Sequence, residues 1–477
     1  MAAAGERGTI GRVEELSLAA VLSATGGELR GELARAATFA GVELDAGKVR
    51  ADDLFVAVPG ERIEGHDLVP LAALHGARAA LVARTWAQGV RELALPLIVV
   101  DEPLLALQQI AAAWRERLAA TVVGVTGSVG KSSTKEVIAA VLSQEFATYR
   151  SPGNRNNEIG LPLSVLEVAG GTEVAVLEMA GGYAPGELEL LAGIARPAIG
   201  VVTNVRPVHL ERMRSLEAIA ETKAELVEAL PPDGVAVLNG DDPRVRSMSS
   251  RCRGRVLTYG RTAGNDVRAR HVTLRGLDGS AFWAEVGGHR RYFQVPLLGE
   301  HAVELVLAGL AVGHTLGMTL AGMAPAFDDP AIQLWPRRVA GINGSLLLDD
   351  TYNATTDSVL SALSVLESSG AGRRIAVLGD MLELGPLSEQ EHRAVGRRAA
   401  GAADLVLAFG DFAAWIAEEA KASSGGRTDV LRFPLDRREE LVEYLASNLR
   451  GGDIVLVKGS RALRMEQLVE SLADAAP

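Results

Sequence analysis

Apolar residues along the chain follow two recurring patterns. One is a continuous run of four or five; the other is a longer stretch in which they recur three or four positions apart. The runs Leu54-Phe55-Val56-Ala57-Val58, Ala79-Ala80-Leu81-Val82 and Leu97-Ile98-Val99-Val100 predict short buried strands. Leu104, Leu107, Ile110 and Ala111 then mark one face of a helix that closes a small α/β unit near Trp114–Arg117. From Thr121 the runs Thr121–Val123, Val174–Leu177, Ile199–Val202 and Val235–Leu238 alternate with helical stretches, which predicts a mostly parallel sheet with helices on both faces. Residues 255–296 alternate apolar and polar between glycines, the pattern of a small antiparallel insertion. After a linker at Asp328–Pro336, strands at Ser345–Leu348, Ile375–Leu378, Leu405–Phe409 and Ile454–Val457 alternate with helices again. The expected class is therefore α/β with three domains, 1–118, 119–333 and 334–477, the last doubly wound.

The polar residues that follow these runs carry the candidate chemistry. Gly124-Val125-Thr126-Gly127-Ser128-Val129-Gly130-Lys131-Ser132-Ser133 sits between a predicted strand and a helix and matches GxxxxGK[ST]. Backbone N–H groups and a helix N-terminus there face an anion, and Gly127 and Gly130 let the chain approach it. Lys131 would reach the β- and γ-phosphates of ATP, and the Ser132 hydroxyl would join a Mg²⁺ shell. Glu178, Thr203-Asn204 and Asn239–Asp242 end the following strands, where open α/β sheets bind ligands. Glu178 is a suitable oxygen ligand for Mg²⁺. His209 also lies just past a strand, whereas Lys223 alone reads as a solvated lysine beside acids on a helix. Gly153–Pro162 offers Asn154, Arg155, Asn156 and Asn157 either as a polar cradle or as a capped turn leading into a helix. Asp349–Ala354, Gly379–Gly385 and Lys458–Arg461 put acids and a cation at three strand ends of the last domain, so that domain is also expected to face a ligand.

Composition narrows the class. Formal charge is −12, which argues against a broad nucleic-acid surface. The single cysteine, Cys252, suits a reducing cytoplasm, and neither a signal peptide nor an 18-residue apolar run is present.

Taken together these segments resemble the Mur ligases, ATP-dependent amide-bond-forming enzymes of peptidoglycan synthesis. The resemblance rests on Asp53–Glu61 with Gly65-His66-Asp67, the phosphate loop, Gly153–Pro162, Glu178 and His209-Leu210-Glu211. The Asp349–Ala354, Gly379–Gly385 and Lys458–Arg461 segments point to the branch that adds D-alanyl-D-alanine. It implies a UDP-sugar-binding domain, a central ATPase and a Rossmann-like C-terminal domain acting as a cytoplasmic monomer. Gly127, Ser128, Gly130, Lys131, Ser132 and Ser133 would hold ATP together with Arg338 and Asp350. Ser132, Glu178, His209 and a carbamylated Lys223 would hold two Mg²⁺, with Lys131, Lys223, His209 and Glu178 serving catalysis. Asn154, Asn156, Asn157, Asn353, Lys458 and Arg461 would face the substrates, UDP-N-acetylmuramoyl-tripeptide and D-alanyl-D-alanine.

This chain departs from the family pattern at Asp45-Ala46-Gly47, Ala302, Leu305 and Pro336-Arg337-Arg338, positions tied to UDP and adenine recognition. Two alternatives stay open: a ligase of the same fold with another substrate, and a Mur-like binding protein without turnover.

Overall fold

A computed structural model of the chain describes residues 16–60, 64–92, 94–181, 184–207, 213, 215–328, 336–370 and 372–474. His209 and most of the expected linker, residues 329–335, lie outside the described residues. The central sheet has nine strands. From one edge they are His289–Val295, Ser280–Val286, Val267–Leu274, Arg255–Gly260, Val235–Asn239, Ile199–Val202, Thr121–Thr126, Val174–Glu178 and Thr148–Arg150. Ladders from Val267–Leu274 onward are parallel, and the two before it are antiparallel. Continuous Val, Ile, Leu and Ala runs form the inner strands because helices cover both faces and no position need be polar.

The expected insertion is not a separate sheet. Arg255–Gly260 pairs in parallel with Val235–Asn239, so the segment extends the main sheet. It turns antiparallel only after Val267–Leu274, where the register shifts between Arg270 and Thr273. Left bare, the edge of Val235–Asn239 would expose unpaired backbone groups, and this extension covers it.

From Thr121–Thr126 the chain runs to the edge strand Thr148–Arg150, returns at Val174–Glu178, and crosses to Ile199–Val202 on the other side. Strand order thus reverses at Thr121–Thr126, whose carboxyl end opens the crevice where such sheets take ligands.

The first unit is a five-stranded sheet in the order Glu28–Arg30, Leu97–Val100, Ala79–Ala83, Leu54–Val56, Val42–Glu43. Its helix Pro103–Arg117 buries Leu107, Ile110, Ala111 and Trp114 in one core with Leu161, Leu188 and Leu191 of the central unit. Trp114 Nε1 also donates to the Val168 carbonyl at 3.2 Å, which satisfies its one polar atom.

In the third unit the strand order is Arg337–Gly341, Ser345–Asp350, Ile454–Lys458, Arg374–Gly379, Leu405–Phe409, Asp429–Phe433, parallel except for the first. One core gathers Leu363, Leu366, Val395 and Ile416, and a second gathers Leu441, Leu445, Leu468 and Leu472. The doubly wound expectation holds. No helix among the described residues is long and apolar enough to cross a membrane.

Candidate active site

The helix Lys131–Leu142 begins where the strand Thr121–Thr126 ends, and the turn between them is shaped by two glycines. Gly130 has φ 82°, a left-handed conformation that side chains disfavour, and a Cβ on Gly127 would overlap the Thr203 hydroxyl. A second loop braces this turn. Ser128 N donates to the Asn204 carbonyl and Val129 N to Asn204 Oδ1, each at 2.9 Å. The Thr203 hydroxyl donates to the Val129 carbonyl, also at 2.9 Å, and Arg206 N donates to Ser128 Oγ. Asn204 is thus a structural part of the phosphate loop. Lys131 Nζ curls back onto the Gly127 and Ser128 carbonyls at 2.9 and 3.2 Å, holding a cation over the turn. Burial pulls its pKa below the ordinary lysine value, against the attraction of Glu178.

Glu178 ends the neighbouring strand, level with Val125, and is buried. Its Oε1 accepts from Asn156 Nδ2 at 2.7 Å, and its backbone N donates to Ser151 Oγ. Its Oε2 is buried without a hydrogen-bond partner. An anionic oxygen held that way asks for a cation. Asn154, Asn156 and Asn157 line the same cleft, and Asn157 Oδ1 also accepts from Gly160 N at 2.8 Å. The segment therefore makes the turn at the helix entrance and lines the cleft at once.

Lys223, on the helix Leu216–Glu228, is not a surface residue. It is 2% exposed and lines the cleft. Burial, reinforced by the charge of Lys131, brings its pKa from 10.5 down to about 7 despite Glu187 and Glu225.

The third unit supplies the facing wall. Asp350 and Lys458 sit side by side on adjacent parallel strands; Lys458 Nζ lies 2.9 Å from Asp350 Oδ2 and donates to the Asn353 carbonyl at 2.8 Å. Tyr352 shares a hydrogen bond with Ser132 across the cleft, and the Arg461 guanidinium stacks over the Tyr352 ring at 5.6 Å. Arg461 and Arg338 themselves do not line the cleft. Arg338 is exposed and donates to the Leu277 carbonyl at 3.0 Å. Because Lys458 is 2% exposed, Asp350→Ala leaves a buried ammonium without its carboxylate. We expect a loss of about 3 kcal/mol in stability, read by denaturant unfolding, and recovery of most of it in Asp350→Leu/Lys458→Met.

Between the walls lies a cleft of about 710 Å³ that runs from the phosphate loop to the start of the helix His301–Thr315. There His301 Nδ1 meets Ser361 Oγ at 2.8 Å, which joins the two walls. Ala302 is buried, while Leu305 and Glu304 line the cleft. Burial, then the nearby Asp241, raises the Glu304 carboxyl above the usual range.

Three family models match in succession: the Mur ligase family catalytic domain over residues 38–115, the Mur ligase middle domain over 125–313, and the Mur ligase glutamate ligase domain over 337–461. A Bacillus subtilis relative, UDP-N-acetylmuramoyl-tripeptide–D-alanyl-D-alanine ligase, is 36% identical over 91% of this chain and 93% of its own length. The chain belongs to the Mur ligase family. The Escherichia coli enzyme of the same name is 34% identical over 94% of this chain and 96% of its own. Among solved structures, the MurF ligase of Thermotoga maritima in complex with ADP is 31% identical with a TM-score of 0.76, over 90% of this chain and 96% of that one. MurF from Acinetobacter baumannii superposes with a TM-score of 0.85 at 26% identity, over 96% and 99%.

This Mur ligase has site features that pattern reading passed over. Lys135, Arg206 and Glu304 lie in or beneath the cleft, and none carries a motif of its own. One signal was available for Lys135: it lies four residues after Lys131 on the same helix, hence on the same face.

Proposed function

We propose that this Mur ligase joins D-alanyl-D-alanine to the terminal carboxylate of UDP-N-acetylmuramoyl-tripeptide at the expense of ATP. The observation that carries the proposal is the convergence in one cleft of the phosphate loop, the Glu178 carboxylate whose buried Oε2 has no hydrogen-bond partner, and the buried Lys223. Relatives that bear this activity in their names match the chain over nine-tenths of its length. The first unit would hold the UDP-sugar and the third would close over ATP, as domains 1–118, 119–333 and 334–477. Residence in the cytoplasm as a monomer completes the reading.

The residues fit Mg²⁺. Among the described residues no group of three or more His, Cys, Asp or Glu is placed to hold a metal. Mg²⁺ bound with ATP, however, needs only one or two protein oxygens besides phosphate and water. Glu178 Oε2 and the Ser132 hydroxyl would supply them, with His209 and a carbamate on Lys223 as further ligands; the ion would neutralise charge on the transferring phosphoryl group.

In the reaction, a carboxylate oxygen of the tripeptide attacks the γ-phosphorus and ADP leaves, giving an acyl phosphate. Lys131 leaves the Gly127 and Ser128 carbonyls for the phosphate oxygens, where its charge offsets the negative charge of the transition state. The dipeptide amine then attacks the acyl carbon, loses a proton, and expels phosphate. The two walls hold carboxylate, phosphate and amine in line and exclude water, which would otherwise hydrolyse the intermediate. No protein nucleophile is needed. Tripeptide labelled with ¹⁸O in its terminal carboxylate tests this route. Acyl-phosphate formation sends one ¹⁸O into inorganic phosphate; unlabelled phosphate contradicts it.

Lys223 makes a separate prediction. Carbamylation joins a neutral amine to CO₂ and releases a proton, and a pKa of about 7 supplies the neutral form at physiological pH. Enzyme stripped of CO₂ should lose activity that bicarbonate restores. Without the carbamate, the depressed pKa means the unfolded chain binds more protons between about 7 and 10.5, so burial of Lys223 destabilises most below 7 and not at all above 10.5. In CO₂-free buffer Lys223→Met should therefore gain on the order of 4 kcal/mol at pH 7, and the gain should shrink steadily towards pH 10.

A further inference from the structure

One buried charge beneath the cleft has no part in the reaction just described. Lys135 is 1% exposed and lies a turn below Lys131 on the phosphate-loop helix. Its ammonium donates to the Ser151 carbonyl at 2.7 Å and the Gly153 carbonyl at 3.1 Å. Glu136 Oε1 lies 3.4 Å away and Glu178 Oε2 4.0 Å away. A cation is buried so completely only where several acceptors share it, and here they tie the phosphate-loop helix to the asparagine segment and to Glu178.

Ser151 and Gly153 form the root of the asparagine segment. From that root Ser151 Oγ accepts from Glu178 N, Asn156 Nδ2 donates to Glu178 Oε1, and Ala180 N donates to the Asn156 carbonyl at 2.7 Å. We propose that Lys135 is a positioning residue that locks the asparagine segment and the Glu178 carboxylate into one unit, so that the metal-binding oxygen and the substrate cradle are set together. Glu178 is then held on its Oε1 side by Asn156 and at its backbone by Ser151, while Oε2 keeps no hydrogen-bond partner. The ammonium, 4.0 Å from Oε2, is close enough to stabilise the carboxylate yet beyond hydrogen-bond reach, so the oxygen remains free for a cation.

This inference rests on the ligase reading for its substrate half but not for its metal half. Lys135→Met, with Lys135→Gln as the variant that keeps a donor for the Ser151 carbonyl, is compared with the wild type in the full-length protein. Mn²⁺ binding in the presence of ATP is followed by electron paramagnetic resonance, which needs no turnover. Mg²⁺ half-saturation, KM for UDP-N-acetylmuramoyl-tripeptide and KM for D-alanyl-D-alanine follow from phosphate release, and Tm from calorimetry. The expected result is metal affinity and KM for the UDP-substrate both weakened about tenfold, with KM for the dipeptide unchanged. In combination with Asn156→Ala the effects should be less than additive, because both changes break one unit. A folded variant with lowered Tm but wild-type Mn²⁺ affinity, or additive effects in the double variant, overturns the proposal. Altered Mn²⁺ affinity in an enzyme that forms no amide would sustain the metal half and refute only the substrate assignment.

Discussion

Lys131→Ala lowers kcat/KM for ATP by at least about a thousandfold, with little change in Tm. The size follows from where the charge is needed. The γ-phosphoryl group gathers negative charge as it transfers, and a preorganised cation in an enclosed cleft offsets that charge far better than water does. Stability is spared because, among the described residues, the lysine's hydrogen bonds are to the Gly127 and Ser128 carbonyls, which water can satisfy. The variant has a second readout. Lys131 is one cause of the lowered Lys223 pKa, so its removal shifts that pKa upward and reduces carbamate at neutral pH. Added bicarbonate should therefore stimulate Lys131→Ala less than the CO₂-stripped wild type at pH 7. Near-normal turnover in Lys131→Ala would mean that the phosphates lie elsewhere.

The second large effect belongs to Glu178. Glu178→Gln keeps an oxygen to accept from Asn156 and keeps the volume of the side chain, but it replaces the carboxylate oxygen that has no hydrogen bond with an amide nitrogen. A carboxylate that helps neutralise transferring phosphate through a cation is worth several kcal/mol, so kcat should fall roughly a hundredfold or more, with Mg²⁺ half-saturation raised in parallel. ATP binding without metal should be little affected, because the phosphate loop and Asn204 are untouched. Equal losses of metal-free and metal-dependent nucleotide affinity would show instead that Glu178 holds the loop.

Much of this was legible in the chain. Continuous apolar runs gave the strands, because a sheet covered on both faces needs no polar positions, and the residues after those runs gave Glu178 and the phosphate loop. What pattern could not carry is burial of polar side chains. Lys223 sits among acids on a helix and reads as solvated, Lys135 carries no signal of its own beyond its spacing from Lys131, and only packing reveals that each lies in the interior. Partners distant in sequence were equally invisible: Asp350 with Lys458, Tyr352 with Ser132. The resemblance puts Lys458 facing the substrates; it lines the cleft, with its ammonium beside Asp350 Oδ2 and donating to the Asn353 carbonyl. Arg338 and Arg461 show the reverse, since proximity to functional segments did not bring them into the cleft. The antiparallel part of 255–296 was legible, but not its parallel start on the main sheet, because an alternating pattern marks a half-exposed strand without saying which edge it joins.

The central claim is that one cleft couples ATP to an amide bond between two specific partners. Phosphate release should be measured with ATP, Mg²⁺ and UDP-N-acetylmuramoyl-tripeptide, with and without D-alanyl-D-alanine, and the product weighed by mass spectrometry. The account predicts sustained release only when both partners are present, one phosphate for each pentapeptide formed, and none with Lys131→Ala. Release indifferent to the dipeptide, or release without pentapeptide, would contradict it.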